Sequence, residues 1–491
     1  MSQDVIVVGG GIGGLCAAIA AACDGHRVRV LESGDRLGGK AGIVVIDGVE
    51  VDTGPSVLTL PGVFDALLRR AGTSLADEAT VFLPSPACRY QFVDSMTIDL
   101  FSDREQTRAS VQAALGAGAA RELDGFLDHA RTVWEAAAPW FIYRDAPSFS
   151  KVITFGLSGW RDLARIDALR TMDAAIEARV KEPRLRWILR RYATYNGSDP
   201  RCAPGTLNCI AHVELGLGVY GVEGGISALV AALARVAARL GVEIETGARV
   251  TEIRTQRGRV QGVTLARGAN LDARAVIANA DARHVLVDLL PKGTRHGLDE
   301  EPVPSTSGWV GIVRAKRRAD RVPHAVLFPK DYAHEFIDLF DHDRPPVEPT
   351  VYLCAQERAH RRTGWADAEP VFVMANAPAE PARGARPSDG GALRANVERR
   401  LREADLISPG DTIVWERSAT ELAAQFPGTR GAIYGGASND KFAAFRRPPN
   451  RVASVPGLYL ASGSAHPGGG MPLCALSGVA AARAVDRDLK R

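Results

Sequence analysis

The start of the chain constrains it most. Val5-Ile6-Val7-Val8 is an unbroken β-branched run, as a strand buried on both faces requires. It leads directly into Gly9-Gly10-Gly11-Ile12-Gly13-Gly14. Gly9, Gly11 and Gly14 satisfy G-x-G-x-x-G, with Gly13 inside the same turn. Such glycines permit a tight turn, a close backbone approach to a pyrophosphate and tight helix-on-strand contact. The phosphates then meet the positive end of a helix expected over residues 15–23. A second strand, Arg27 to Leu31, ends in Glu32, placed to accept ribose hydroxyls and to repel a 2′-phosphate. The combination predicts a dinucleotide site and leaves NAD and FAD undecided.

Val5 to Cys23 carries no charge, but five glycines (Gly9, Gly10, Gly11, Gly13 and Gly14) favour strand, turn and helix over a membrane span. No secretory signal is expected, because Asp4 follows Met1 without a basic n-region. The 491 residues suggest two or three domains, and 46% hydrophobic against 24% charged residues excludes a disordered chain. A net charge of +3 gives no reason to expect nucleic acid as a partner. Seven cysteines without a C-x-x-C exclude a disulfide framework or zinc ribbon, no metal site is expected, and a reducing cytoplasm fits.

Asp35-Arg36-Leu37-Gly38-Gly39-Lys40-Ala41 follows the acidic residue at once. It resembles the Arg-x-Gly-Gly-Arg/Lys signature of the FAD-dependent amine oxidase and carotenoid desaturase superfamily. A cation and exposed amides there would extend the pyrophosphate cradle toward the flavin. Near the other end, Gly457 to Ala461 reads as a short buried strand. It leads into Gly463-Ser464-Ala465-His466-Pro467-Gly468-Gly469-Gly470-Met471-Pro472 and then an apolar helix from Leu473 to about Leu489. Pro472 suits a first helical turn, and the glycines free backbone amides for a ligand. A helix N-terminus beside the flavin pyrimidine edge would stabilise negative charge developing there.

A middle segment returns to the same domain. After Gly224-Gly225, the stripe Ile226, Leu229, Val230, Leu233, Val236, Ala237 and Leu240 predicts a helix ending at Gly241. Strands are expected at 242–245, 249–254, 259–265 and 275–278. Residues 102–204 read as long helices; Leu163, Ile166, Leu169, Met172, Ile176 and Val180 keep helical spacing until Pro183. Residues 286–405 are mixed, with strands near 308–313 and 350–354. The expected architecture is α/β: a Rossmann-like domain in three parts (1–101, 205–285 and 406–491), interrupted by a helical substrate- and membrane-facing region (102–204) and a mixed substrate domain (286–405).

Nearly the whole chain resembles the bacterial carotenoid desaturases of the phytoene desaturase type. Val51-Asp52-Thr53-Gly54-Pro55 resembles their Asp-x-Gly-Pro segment. The 1-hydroxycarotenoid 3,4-desaturases (hydroxyneurosporene or methoxyneurosporene dehydrogenases) look most similar. Supporting runs are Asp52 to Thr59, Pro183-Arg184-Leu185-Arg186, Arg191-Tyr192-Ala193-Thr194-Tyr195, Asp331-Tyr332 with Glu335-Phe336, Pro349 to Gln356, and Asn376-Ala377-Pro378. Asn196-Gly197-Ser198 and Ser462-Gly463-Ser464 depart from the pattern. The resemblance implies FAD held by Gly9, Gly11, Gly13, Gly14, Glu32, Arg36, Gly38, Gly39, Lys40, Gly54, Pro55, Val250, Gly463, Gly470, Met471 and Pro472, with Val250 at the adenine. It implies desaturation of an acyclic carotenoid, the flavin being reoxidised by oxygen or a quinone.

No spacing marks a general base; Asp52, His466 and the Tyr192/Tyr195 pair are candidates, each as readily structural, and the catalytic residue is unknown. A long hydrocarbon substrate must be drawn from a bilayer. Trp134, Trp140, Phe141, Tyr143, Phe149, Phe155 and Trp160 cluster in a chain with only 15 Phe, 7 Trp and 9 Tyr. Arg179, Lys181, Arg184, Arg186, Arg190 and Arg191 follow them. Aromatic plus cationic residues suggest peripheral contact with the inner membrane from the cytoplasmic side, although a helical core with a solvated basic face explains them equally. Alternatives are a desaturase of phytoene or another acyclic carotene, a flavin amine oxidase, and a prenyl-binding escort protein without flavin.

Overall fold

The computed structural model describes residues 3–147, 162, 165–298, 302–381 and 390–490. Two seven-stranded sheets organise them. In the first, five strands run parallel in the order Glu243–Glu245, Val28–Leu31, Gln3–Val8, Asn270–Ala278 and Leu458–Leu460. A meander, Val250–Gln256 and Arg259–Leu265, adds antiparallel to the early part of Asn270–Ala278. The central strand pairs on both sides, which is why Val5, Ile6 and Val7 are fully buried and why the segment needs no polar face. Helices Ile12–Cys23, Ile226–Arg239 and Met471–Leu489 share a core with one face of this sheet. The expected α/β plan is present, with helical and mixed insertions.

The second sheet runs Thr412–Arg417, Ser307–Ala315, Glu369–Ala377, Val351–Ala355, His324–Leu327, Cys88–Gln91, Thr97–Leu100. All its pairs are antiparallel except His324–Leu327 with Cys88–Gln91. Helix Gly390–Glu403 covers part of it through Leu393, Val397 and Leu401. An aromatic core, including Tyr90, Phe92, Phe328, Tyr332 and Phe336, joins it to helices Arg104–Phe141 and Pro183–Arg191.

The helical reading of 102–204 holds for Arg104–Phe141, which breaks at Gly116, where φ is 88°. It does not hold as one continuous helix from 166 to 180. Leu163 lies outside the described residues, Leu169 is 90% exposed, and from 166 to 180 the helix is Met172–Glu177. Asp167 adopts a positive φ, and Thr171 starts a new helix by accepting the Ala174 N–H, so apolar spacing lost to a cap. Two other helices begin earlier than expected, at Ile12 and Met471, inside their glycine-rich turns.

Candidate active site

The first glycine turn is held from three sides. The Gly10 N–H donates to Glu32 Oε2 at 2.7 Å, and the Gly34 N–H to Oε1 of the same carboxylate at 2.7 Å. Glu32 therefore stands at the end of its strand, beside the turn. The Ala248 N–H donates to the Glu32 carbonyl and the Gly247 N–H to that of Gly34, which brings the segment leading to Val250 alongside. Asn279, at the end of strand Asn270–Ala278, lies over the turn: a Cβ on Gly11 would meet its Oδ1 at 2.7 Å. Its Nδ2 donates to the Ala461 carbonyl, so one side chain ties the first glycine segment to the last strand. Sequence reasoning missed Asn279; its only signal was its place just past a buried strand, level with the glycines.

The Arg-x-Gly-Gly-Lys segment folds back onto this turn, the Gly38 N–H donating to the Gly10 carbonyl at 2.9 Å. Gly38 and Gly39 have φ of 117° and 57°, a region open to glycine but strained for other residues. Gly54 approaches so closely that a Cβ would collide with the Lys40 carbonyl, which brings Gly54 and Pro55 to the same place. Arg36 is the outlier. Its guanidinium faces solvent and pairs with Glu50 at 3.5 Å.

From the other end, a Cβ on Gly463 would meet Gly469 at 3.2 Å and the Cys474 sulfur at 3.4 Å. Gly470, with φ of 106°, opens the last helix, and buried Met471 and Pro472 form its first turn. The two glycine-rich junctions thus converge through Asn279, Ala461 and the first and last helices.

Three cations line the convergence without a carboxylate partner among the described residues. Lys40 Nζ donates to the Ala432 and Ile433 carbonyls at 2.8 and 2.9 Å. Burial pushes its amino group down to about 8, against the opposing pull of Asp281. Arg447 donates to the carbonyls of Gly463 and Gly436, and burial lowers it to about 10. Arg417, lowered by burial as well, donates to the Thr53 carbonyl. Desolvated cations without a carboxylate in direct contact are costly. A donor set of this kind, beside two glycine turns, fits an anionic dinucleotide.

The candidate bases are placed as follows. Asp52 is buried; its Oδ2 accepts the Ile226 N–H at 2.7 Å, its Oδ1 lies 3.4 Å from Arg362, and Gln356 bonds its backbone on both sides. It caps a helix. His466 is buried, with Nε2 2.8 Å from the Arg144 carbonyl, a contact that docks the long helix's end. Tyr192 donates to Glu214 at 3.1 Å inside the aromatic core, while Tyr195 is half-buried beside Arg191. None of the four is an obvious proton acceptor for a substrate.

Of the aromatic run, Tyr143 is 47% exposed. Trp140 donates to Asp162 at 2.9 Å beneath Arg144, and Phe141 stacks edgewise on Phe445. Phe149, Phe155 and Trp160 lie outside the described residues. The basic run is dispersed: Arg190 pairs with Asp173 and Glu177, Arg184 with Asp94, Arg186 with Glu177, and Arg191 is buried. Among the described residues no helix is long and apolar enough to cross a membrane, and no cluster of His, Cys, Asp or Glu could hold a metal.

Comparison with known proteins accords with this geometry. The family described as flavin containing amine oxidoreductase matches residues 12–315. The chain is 35% identical to a hydroxyneurosporene desaturase of Rhodobacter capsulatus, over 99% of this chain and 98% of that one. It is 32% identical to a 4,4'-diapolycopene oxygenase of Methylomonas sp, over 97% of each. Among solved structures, an oxidoreductase from Methanosarcina mazei aligns over 97% of this chain and 99% of its own, with TM-score 0.62 and 16% identity. Putrescine oxidase bound to putrescine aligns over 100% of both chains, with TM-score 0.62 and 15% identity, a likeness of fold alone. The chain therefore belongs to the flavin-containing amine oxidoreductases, among the bacterial carotenoid desaturases and oxygenases, and that membership implies FAD as its cofactor.

Proposed function

We propose that this protein is an FAD-dependent desaturase of acyclic carotenoids, introducing the 3,4 double bond into a 1-hydroxy- or 1-methoxy-carotenoid. The observation that carries this reading is near-full-length identity of 35% to hydroxyneurosporene desaturases from two organisms. In it, Gly9, Gly11, Gly13, Gly14, Glu32 and Val250 hold the adenosine and pyrophosphate. Gly38, Gly39, Lys40, Gly54 and Pro55 continue the cradle, and Gly463, Gly470, Met471 and Pro472 close it at the flavin; solvent-facing Arg36 has the least support. When bound, FAD would supply a two-electron acceptor: two adjacent C–H bonds would break, one hydrogen leaving as hydride and the other as a proton, and the remaining pair would form the π bond. Oxygen or a quinone removes the electrons afterwards. The chain itself aligns the polyene and keeps water out.

The substrate arrives from a membrane to which the protein binds peripherally on its cytoplasmic side. A groove of about 370 Å³, lined by Leu60, Val63, Leu67, Tyr143 and Val479 with Arg70 and Arg483, supports that part of the reading. A second reading, oxygenation of a carotenoid terminus, is favoured by the 32% identity to the diapolycopene oxygenase. Expression in cells that make neurosporene or its 1-hydroxy derivative decides between them. A red-shifted product with one more conjugated double bond is expected. Consumption of phytoene alone, or a product that gains oxygen, would overturn the 3,4-desaturase reading.

A further inference from the structure

Outside the glycine-rich site, the most demanding side chain is Arg191. It ends the helix Pro183–Arg191 and is only 8% exposed. Among the described residues no carboxylate lies within ion-pairing distance, and its guanidinium makes one hydrogen bond, Nη1 to Tyr195 Oη at 3.3 Å. Otherwise it faces three rings, with centroids at 5.1 Å (Tyr195), 5.7 Å (Tyr352) and 5.9 Å (Tyr90). A guanidinium carries five N–H donors in a fixed fork, and here one hydrogen bond and the faces of three rings engage it. Next to it, the Tyr90 hydroxyl is buried with no hydrogen-bond partner. Glu214, a buried acid, accepts from Tyr192, and burial raises its carboxyl above the usual range against the opposing pull of the Arg191 charge. Around it lies the buried aromatic core, in which Phe92, Phe328, Tyr332 and Phe336 stack in succession.

This unsatisfied polar point is linked to the glycine-rich loop by one residue. Tyr434 is half-buried; its phenol feels the Arg191 charge, and a Cβ on Gly469 would touch its Cβ at 2.7 Å. The segment after Arg191 is bound to the same stretch, Asn196 donating to Ser438 at 2.7 Å and the Asp199 N–H to Asn439 at 2.9 Å. A cation awaiting acceptors, in an apolar wall one residue from the proposed flavin loop, is what the oxygen-bearing end of an otherwise hydrocarbon ligand requires.

We propose that Arg191, with Tyr90 and Tyr195, docks the oxygenated terminus of the polyene and so decides which polyenes are accepted. The guanidinium donates to the hydroxyl or ether oxygen, and a tyrosine oxygen accepts the hydroxyl proton where one exists. A plain hydrocarbon end leaves Arg191 without its acceptor. The 3,4 bond lies two carbons from the oxygen-bearing carbon, so holding the oxygen also fixes the bond. The proposal rests on the desaturase reading for its substrate, but binding tests it separately.

The test uses the FAD-loaded full chain and two liposome-borne polyenes, an acyclic carotenoid with a tertiary alcohol at C1 and the same carotenoid without oxygen. Binding is read by fluorescence quenching and turnover by absorbance. Wild type is expected to bind the alcohol about 10- to 100-fold more tightly, the discrimination a buried charged donor gives. Arg191→Met should abolish that ratio through KM, keep its flavin absorbance and accept the hydrocarbon; Arg191→Lys should restore part of it. Tyr90→Phe removes only a partnerless hydroxyl, folds in any case, and should narrow the ratio several-fold. An unchanged ratio in Tyr90→Phe together with a folded Arg191→Met, or equal binding of both polyenes by wild type, would overturn the docking point. Preferential binding of the alcohol without any new double bond would support the docking point and sink the desaturase reading instead.

Discussion

Gly13 and Gly478 meet where the first and last helices cross, so closely that a Cβ on Gly478 would collide with the Gly13 carbonyl oxygen. The contact fixes the two glycine-rich turns relative to each other. Gly478→Ala is therefore expected to cost about 1–3 kcal/mol, as overpacking does, and to loosen flavin retention. Gly125, exposed on the long helix with open space around its α-carbon, is the control. Gly125→Ala should gain about 0.5–1 kcal/mol. Thermal melts of the two variants moving in the same direction would refute the crossing's role.

Glu32 accepts two backbone amides and, in the proposed site, the ribose hydroxyls. Glu32→Ala should weaken FAD binding at least about tenfold, the loss of a charge-assisted pair of hydrogen bonds. Titration of the apoprotein with FAD, followed by flavin fluorescence, reads the change. Equal affinities would remove Glu32 from the site.

Lys40, Arg417 and Arg447 have no carboxylate in ion-pairing contact among the described residues and donate instead to backbone carbonyls. Lys40→Met is expected to lower FAD affinity by roughly tenfold, while leaving the melting temperature of the apoprotein almost unchanged. A variant that melts far below wild type yet binds FAD normally would show that Lys40 serves the loop at Ala432 and Ile433 alone.

His324 and His360 are buried, and burial lowers them to about 3 and about 4 from the usual 6.5. Both stay neutral in the fold but take up a proton on unfolding. Their contribution is complete above pH 6.5 and is lost as pH falls toward 4, with a slope of about 1.4 kcal/mol per pH unit for each. Glu214 and Glu335, raised by burial, act in the opposite sense. Subtraction of a His360→Gln unfolding series from the wild-type series isolates the histidine. Parallel pH curves would contradict its buried neutral state.

Membrane association should depend on Tyr143 and Val63, which line the apolar groove, more than on Trp140, whose indole is already bonded to Asp162. Tyr143→Ser with Val63→Ser is expected to reduce flotation with anionic liposomes several-fold at unchanged melting temperature. Identical flotation would rule the groove out as the contact.

What was legible beforehand is what local chemistry dictates. The β-branched run, the glycines and Glu32 announce a strand, a turn and an acid whatever the rest of the chain does, and all three stand where expected. The stripe from Ile226 to Ala237 is equally local. Asn279 was invisible because its role depends on three distant segments arriving together. Arg191 stands in a basic run that reads equally as a membrane surface or as the solvated face of a helical core, and it is buried instead: one-dimensional charge counting cannot tell an arginine paired across a helix from one swallowed by tyrosines. The spacing through Leu169 misled because Thr171 and Asp167 impose caps and a left-handed residue that periodicity ignores. The surface pairing of Arg36 with Glu50 is a contact between separate segments that the spacing of Arg36-x-Gly-Gly-Lys does not announce.

Leu458–Leu460, an outermost parallel strand of the first sheet, is far in sequence from Gln3–Val8, yet both pair with Asn270–Ala278. The sheet is therefore stitched from segments hundreds of residues apart, so its closure is a long-range contact that costs loop entropy before it gains pairing. Any cut between those segments removes a neighbour from Asn270–Ala278 and leaves an apolar sheet edge without its partner.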